Sequence, residues 1–327
     1  MNAFKLADTV AVMTNVETLG ALGPETLGPW GRALVSAVVA VGALGVVPLG
    51  LRLIDGAPVA WLGRRWLVGA VPGVVSLWLP CGLVATCLAA GYALATVALA
   101  AQVPLRFAVR RSWAPSELAV FTALTAPAVA GSALLAERAG YPLLGFTPQV
   151  LQLTVAHFHY AGFAAALVSG LVCRAAGTPA VDPAEARQSG EAGARRSGEA
   201  VARRTGNAAA LSVPAGTALV FAGYFTNDWV ELAGAAWLTV GMWLVAWLTW
   251  RQLRPSSVSR LTGAMLAISA ATLVATMLLA LDWALGEATG VPHLPLRWMA
   301  ATHGLANAFG FALCGILAWR RLKPAPL

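Results

Sequence analysis

The feature that most constrains this chain is a recurrence of apolar runs, such as Arg32 to Leu51 and Leu261 to Leu281, each close to the roughly 20 residues that an α-helix needs to cross a hydrocarbon layer about 30 Å thick. Lipid offers no hydrogen-bond partners, so a spanning segment must satisfy its own backbone, as a helix or within a closed barrel. The runs lack the alternating pattern of a membrane barrel strand. The chain therefore reads as all-α, a polytopic transmembrane helical bundle of about nine spans. Composition agrees: 58% of the 327 residues are hydrophobic and 11% charged, whereas soluble domains carry about a quarter charged residues.

Spans are expected near residues 31–52, 62–79, 82–104, 117–136, 149–173, 209–226, 232–250, 261–282 and 298–319. The apolar region from Trp66 to Pro104 is too long for one span and divides at a tight turn over Leu79-Pro80-Cys81-Gly82. Basic residues test this segmentation, because Lys and Arg collect on the cytoplasmic side of span ends. Eighteen of the 22 fall on alternate connections, leaving Lys5, Arg32, Arg138 and Arg297 for the other side. The odd span count then puts the N-terminus outside and the C-terminus in the cytoplasm of a multi-pass cell-membrane protein.

The net charge of +8 is spread over these short connections and does not form a nucleic-acid-binding face, so no nucleic-acid partner is expected. Residues 176–208 change composition to Ala, Gly, Ser, Arg and Glu, the signature of a flexible or loosely helical cytoplasmic linker. It separates an N-terminal five-span half, residues 1–175, from a C-terminal four-span half, residues 209–327. The first 30 residues lack a basic stretch followed by a compact apolar core, which argues against a cleaved signal peptide. Cys81, Cys87, Cys173 and Cys314 all lie in apolar runs without metal-type spacing and read as small packing residues.

Polar residues inside spans mark functional candidates, since each costs several kcal/mol unless it meets a cavity or a partner. The 1.5 Å rise per residue puts His157 and His159 roughly 12–15 Å along the fifth span, and His303 and Asn307 roughly 7–14 Å along the ninth. Asp228 and Glu231 lie at the outer connection of spans six and seven, and Asp282 at the outer end of span eight. All therefore share the outer half of the membrane. His303 and Asn307, four apart, share a helix face; His157 and Tyr160 are roughly co-facial. On a regular helix His157 and His159 diverge by about 200°, which argues against one metal ion held by both. The structural alternative is that these groups only join neighbouring helices by hydrogen bonds. His293, between Pro292 and Pro295, is expected on a loop surface. Most of the 13 tryptophans fit interfacial belts, and a minority such as Trp229 are placed to offer a π face to a cation.

Two segments carry a family resemblance: His157-Phe158-His159-Tyr160-Ala161-Gly162-Phe163 and His303-Gly304-Leu305-Ala306-Asn307-Ala308-Phe309-Gly310-Phe311. They resemble the signatures of YndJ-like membrane proteins. That resemblance covers the spans from about residue 30 to 320 and implies functional roles for His157, His159, Tyr160, His303 and Asn307. In size and polytopic character the chain is also similar to bacterial membrane-bound terpene cyclases of indole-sesquiterpenoid pathways.

This second likeness implies an enzyme that cyclises or isomerises a lipophilic isoprenoid by protonating an alkene or epoxide, without cofactor or metal. Such chemistry needs a carboxylic acid kept neutral by a low-dielectric site, and aromatic faces around the carbocation. Asp228 and Glu231 are the candidate acids, positioned by His157, His159 and His303. Tyr160, Phe163, Trp229, Asn307 and Asp282 are candidates for lining the substrate cavity. The alternative is a small-molecule or ion transporter of the YndJ-like type. Neither of the acidic motifs of soluble terpene synthases, D-D-x-x-D and D-x-D-D, is present.

Overall fold

The computed structural model describes residues 26–177, 192–252, 258–322 and 327. Within them the chain forms nine long helices and no strand: α1 (Gly28–Leu51), α2 (Ala57–Ser76), α3 (Leu83–Arg110), α4 (Pro115–Arg138), α5 (Pro148–Gly177), α6 (Ala192–Phe225), α7 (Asp228–Arg251), α8 (Arg260–Thr289) and α9 (Leu296–Leu322). Eight of these contain stretches long and apolar enough to cross a membrane. The remaining one, α2, has the length but carries Arg64 and Arg65 two turns from its start. The chain is a multi-pass membrane protein built as an all-helical bundle.

Helix ends follow local chemistry. Asn227 Oδ1 accepts from the Val230 amide at 3.1 Å and caps α7, while Ser259 and Thr147 cap α8 and α5 with their hydroxyls; each side chain satisfies an amide that the first turn leaves bare. Gly290, in the left-handed region at φ 75°, ends α8. The expected turn between the second and third spans lies at residues 77–82. Arg138 closes it by donating to Ser76 O and Leu79 O, both at 3.1 Å.

At the centre lies α5, with 78% of its most apolar stretch buried against 28% for α8 and α9. It packs on α1, α4, α6 and α9, with the α2–α3 hairpin and the α7–α8 pair outside. Seams are made by glycines that let backbones approach. A Cβ on Gly162 of α5 would lie 2.7 Å from Ala126 Cβ of α4, and one on Gly241 of α7 would lie 2.0 Å from Ser212 Oγ of α6.

Of the 176–208 tract, residues 192–208 form the first turns of α6. Gly206 packs against Cys173 and Ala176 of α5 there, and Cys173 Sγ lies 3.4 Å from Asn207 Oδ1. The rest of that tract, residues 178–191, together with the N-terminal 1–25, Arg254 and Lys323, lies outside the described residues.

Candidate functional site

Short connections alternate the helices, so the bundle has two unlike ends. At the basic end, α1, α3, α5, α7 and α9 finish. Arg106 there makes a two-pronged contact with Glu117, Nε to Oε2 at 2.8 Å and Nη2 to Oε1 at 3.1 Å, and its Nη1 reaches Asp55 Oδ1 at 2.7 Å. Arg110 bonds the same two carboxylates, and Arg174 stands 3.9 Å from Glu117. This network ties four helix ends together and compensates the buried Glu117.

The other end holds the sequence candidates, which the structure sorts into two groups. The first is locked in the core by wide π-helical turns. Three helices carry them: Gly42–Val46 in α1, Phe158–Ala164 in α5, and Ala300–Gly304 with Ala306–Leu313 in α9. The turns of α1, α5 and α9 pack on one another.

In α1 the cause is visible. Pro48 has no N–H, and the Val47 amide reaches back to Gly42 O, so the Ala43 carbonyl is left to accept from Trp66 Nε1 at 2.6 Å. In α5 the fully buried His159 has Nδ1 2.6 Å from Val155 O and Nε2 2.6 Å from Tyr92 Oη. A carbonyl only accepts, so Nδ1 carries the proton and the neutral ring's Nε2 accepts from the Tyr92 hydroxyl. Tyr160 donates to Val38 O at 2.6 Å, and Phe163 is sealed against Gly50.

The second group faces more open space. His157 is exposed, within electrostatic reach of His303. His303 donates from Nδ1 to Thr276 O at 2.9 Å, and Asn307 Oδ1 accepts from the Thr276 hydroxyl at 3.0 Å, so the two do share one face, against α8. At the tips of α6, α7 and α8, Tyr224 lies within electrostatic reach of both Glu231 and Glu287. Phe146 stands edge-on to Tyr224 at 5.5 Å and tilted to Phe225 at 5.8 Å, and Phe221 meets Phe225 at 5.1 Å.

His293 leaves the expected loop surface and docks here. Its Nε2 is 3.2 Å from Glu287 Oε1, its ring meets Trp283 at 4.7 Å, and it presses on Gly286. Its Nδ1 lies 3.1 Å from Val291 O, which again fixes a proton on that nitrogen. Asp228 and Glu231 are half-buried in the first turn of α7, whereas Trp229, 62% exposed, and Asp282 face outward.

Among the described residues, no three His, Cys, Asp or Glu side chains gather as a metal site would require. Sequence reasoning missed Tyr92, Tyr224, Phe146 and Glu287. Tyr92 had one signal, as the lone ring within the apolar run Leu83–Ala100.

The sequence profile of the YndJ-like protein family matches residues 37–311. The chain belongs to that family. No curated protein and no solved structure matches it. In this YndJ-like protein the two segments singled out in the sequence coincide with the π-helical turns of α5 and α9, which pack on one another with His157 and His303 beside them.

Proposed function

We propose that this protein is a membrane-embedded, cofactor-independent enzyme that cyclises or isomerises a lipophilic isoprenoid at the acidic-aromatic end of the bundle. The observation that carries the proposal is the grouping of Tyr224, Glu231 and Glu287 beside the rings of Phe146, Phe221 and Phe225. Glu231 supplies the proton. A lipophilic substrate that excludes water from the site favours the neutral acid over the carboxylate.

The acid O–H transfers its proton to an alkene carbon or epoxide oxygen. A new C–H or O–H bond forms and a tertiary cation develops; a neighbouring alkene donates its π electrons to close the ring. The final cation loses a proton to the carboxylate, which resets the acid without any co-reactant. The aromatic faces stabilise the cation, and His157 and His303, in the more open group, act as positioning residues; His159, with both ring nitrogens engaged by Val155 O and Tyr92 Oη, holds the core instead. With the eighteen-residue basic bias read as positive-inside, this end faces outward, the N-terminus is outside and the C-terminus cytoplasmic.

Membranes holding the protein, incubated in heavy water with prenylated or epoxidised isoprenoids, are expected to release ring-closed product carrying deuterium from solvent. Absence of any ring-closed product from either substrate class, with folded protein present in the membranes, would overturn the proposal.

A second class, transport of a small solute or ion, is favoured by one observation: π-turns from the first, fifth and ninth helices meet inside the bundle, and such turns are frequent at functional sites. Proteoliposomes that accumulate solute while turning over no isoprenoid would select it.

A further inference from the structure

On the membrane-facing side, away from the acidic-aromatic end, a groove of about 530 Å³ runs between α2 and α3, lined by Arg65, Val68, Gly69, Gly91 and Ala95. Its make-up is unusual in two respects. The first is a charge. Arg65 lies about 12 Å along α2, counting eight residues at 1.5 Å each. Its guanidinium stacks over Trp61 at 4.4 Å and meets no acidic side chain among the described residues. Arg65 and Arg64 beside it are both exposed. A guanidinium beside apolar helix faces binds an anion or reaches the interface, and at the basic end Asp55 and Glu117 are already engaged by Arg106 and Arg110.

The second is a missing side chain. Gly69 is required by packing, since a Cβ there would lie 2.6 Å from Ala95 Cβ and 2.9 Å from Gly91 O. Gly91 is not: a Cβ there would meet nothing within 4 Å. A glycine inside a helix is less stable than alanine, and no neighbour requires this one. Its effect is to keep the groove open, with exposed Val68 and Leu94 flanking it.

From these observations we infer that the α2–α3 groove is a binding site for an anionic phospholipid. The phosphate sits on Arg65, with Arg64 adjacent, and one acyl chain lies over Gly69, Gly91 and Ala95. Charge chooses the headgroup class: a zwitterionic lipid brings its own cation, while an anionic one leaves its full charge to the arginines. Arginine suits this role because its planar fork binds phosphate in two-pronged fashion.

The test uses the purified full chain in detergent, titrated with phosphatidylglycerol or phosphatidylcholine and followed by native mass spectrometry. Wild-type protein is expected to bind phosphatidylglycerol about five-fold or more tightly than phosphatidylcholine. Arg65→Gln should erase that preference, whereas Arg65→Lys keeps most of it. Gly91→Leu, whose side chain enters the open groove, should weaken phosphatidylglycerol binding, whereas Gly91→Ala should leave it near wild type. Melting curves of the Gln and Leu variants at the wild-type midpoint establish that any loss of binding is not loss of fold. Equal binding of the two lipids by wild type would overturn the inference, as would an undiminished preference in Arg65→Gln or undiminished phosphatidylglycerol binding in Gly91→Leu.

Discussion

Tyr92 and His159 show how single polar groups are accommodated in this interior. The Tyr92 hydroxyl and His159 Nε2, 67 positions apart in sequence, satisfy one another, and Nδ1 is satisfied by the chain's own Val155 carbonyl. Tyr92→Phe leaves Nε2 without a donor and is expected to destabilise the protein by about 1–3 kcal/mol. Thermal unfolding in detergent should show a lowered midpoint; an unchanged one would mean that another donor takes over. Gly42→Ala belongs to the same place, because its Cβ would lie 2.8 Å from His159 Cβ and must shift the ring or α1. His159 was legible in the sequence as an ionisable residue inside a span. Its partner was not, because nothing local in the chain records which helices touch. The same holds for Tyr224 with Glu231 and Glu287, which come from three different helices.

At the scale of helices, the spans were legible because length and apolarity are set residue by residue. The expected 117–136 and 261–282 lie inside Pro115–Arg138 and Arg260–Thr289. The π-turns were not, since a widened turn changes hydrogen-bond register without changing composition; only Pro48 hinted at one. This bears on His157 and His159, whose divergence was reasoned for a regular helix, while the chain is π-helical from Phe158 onward. Even so, the two rings have unlike surroundings, one exposed and one fully buried. Elements are also joined by charge at the basic end, which sequence reading treated only as a topological signal. Glu117→Gln removes the carboxylate that Arg106 and Arg110 share. Breaking a buried pair in this way typically costs about 3–5 kcal/mol, so this variant should melt well below wild type, with Asp55→Asn affected less because Asp55 is more exposed.

For the molecule as a whole, the two ends differ in charge and in role. Asp228, Glu231, Asp282 and Glu287 gather at the end opposite most of the arginines. If the basic end is cytoplasmic, cysteines introduced between residues 180 and 205 in a chain whose Cys81, Cys87, Cys173 and Cys314 are replaced should be labelled only after the inner face of the membrane is opened to a membrane-impermeant thiol reagent. Labelling from outside in intact cells would invert the protein and move the acidic-aromatic end to the inner leaflet. That end is where the account places its chemistry, and replacement of one acid tests it most directly. Glu231→Gln keeps the shape and hydrogen-bonding capacity of the side chain and removes the acidic proton. The measurement is the rate of ring-closed isoprenoid formed by membranes carrying equal amounts of folded wild-type or variant protein. The account predicts a loss of about 10²- to 10⁴-fold, the usual contribution of a general acid; cyclisation by the variant at the wild-type rate would contradict it.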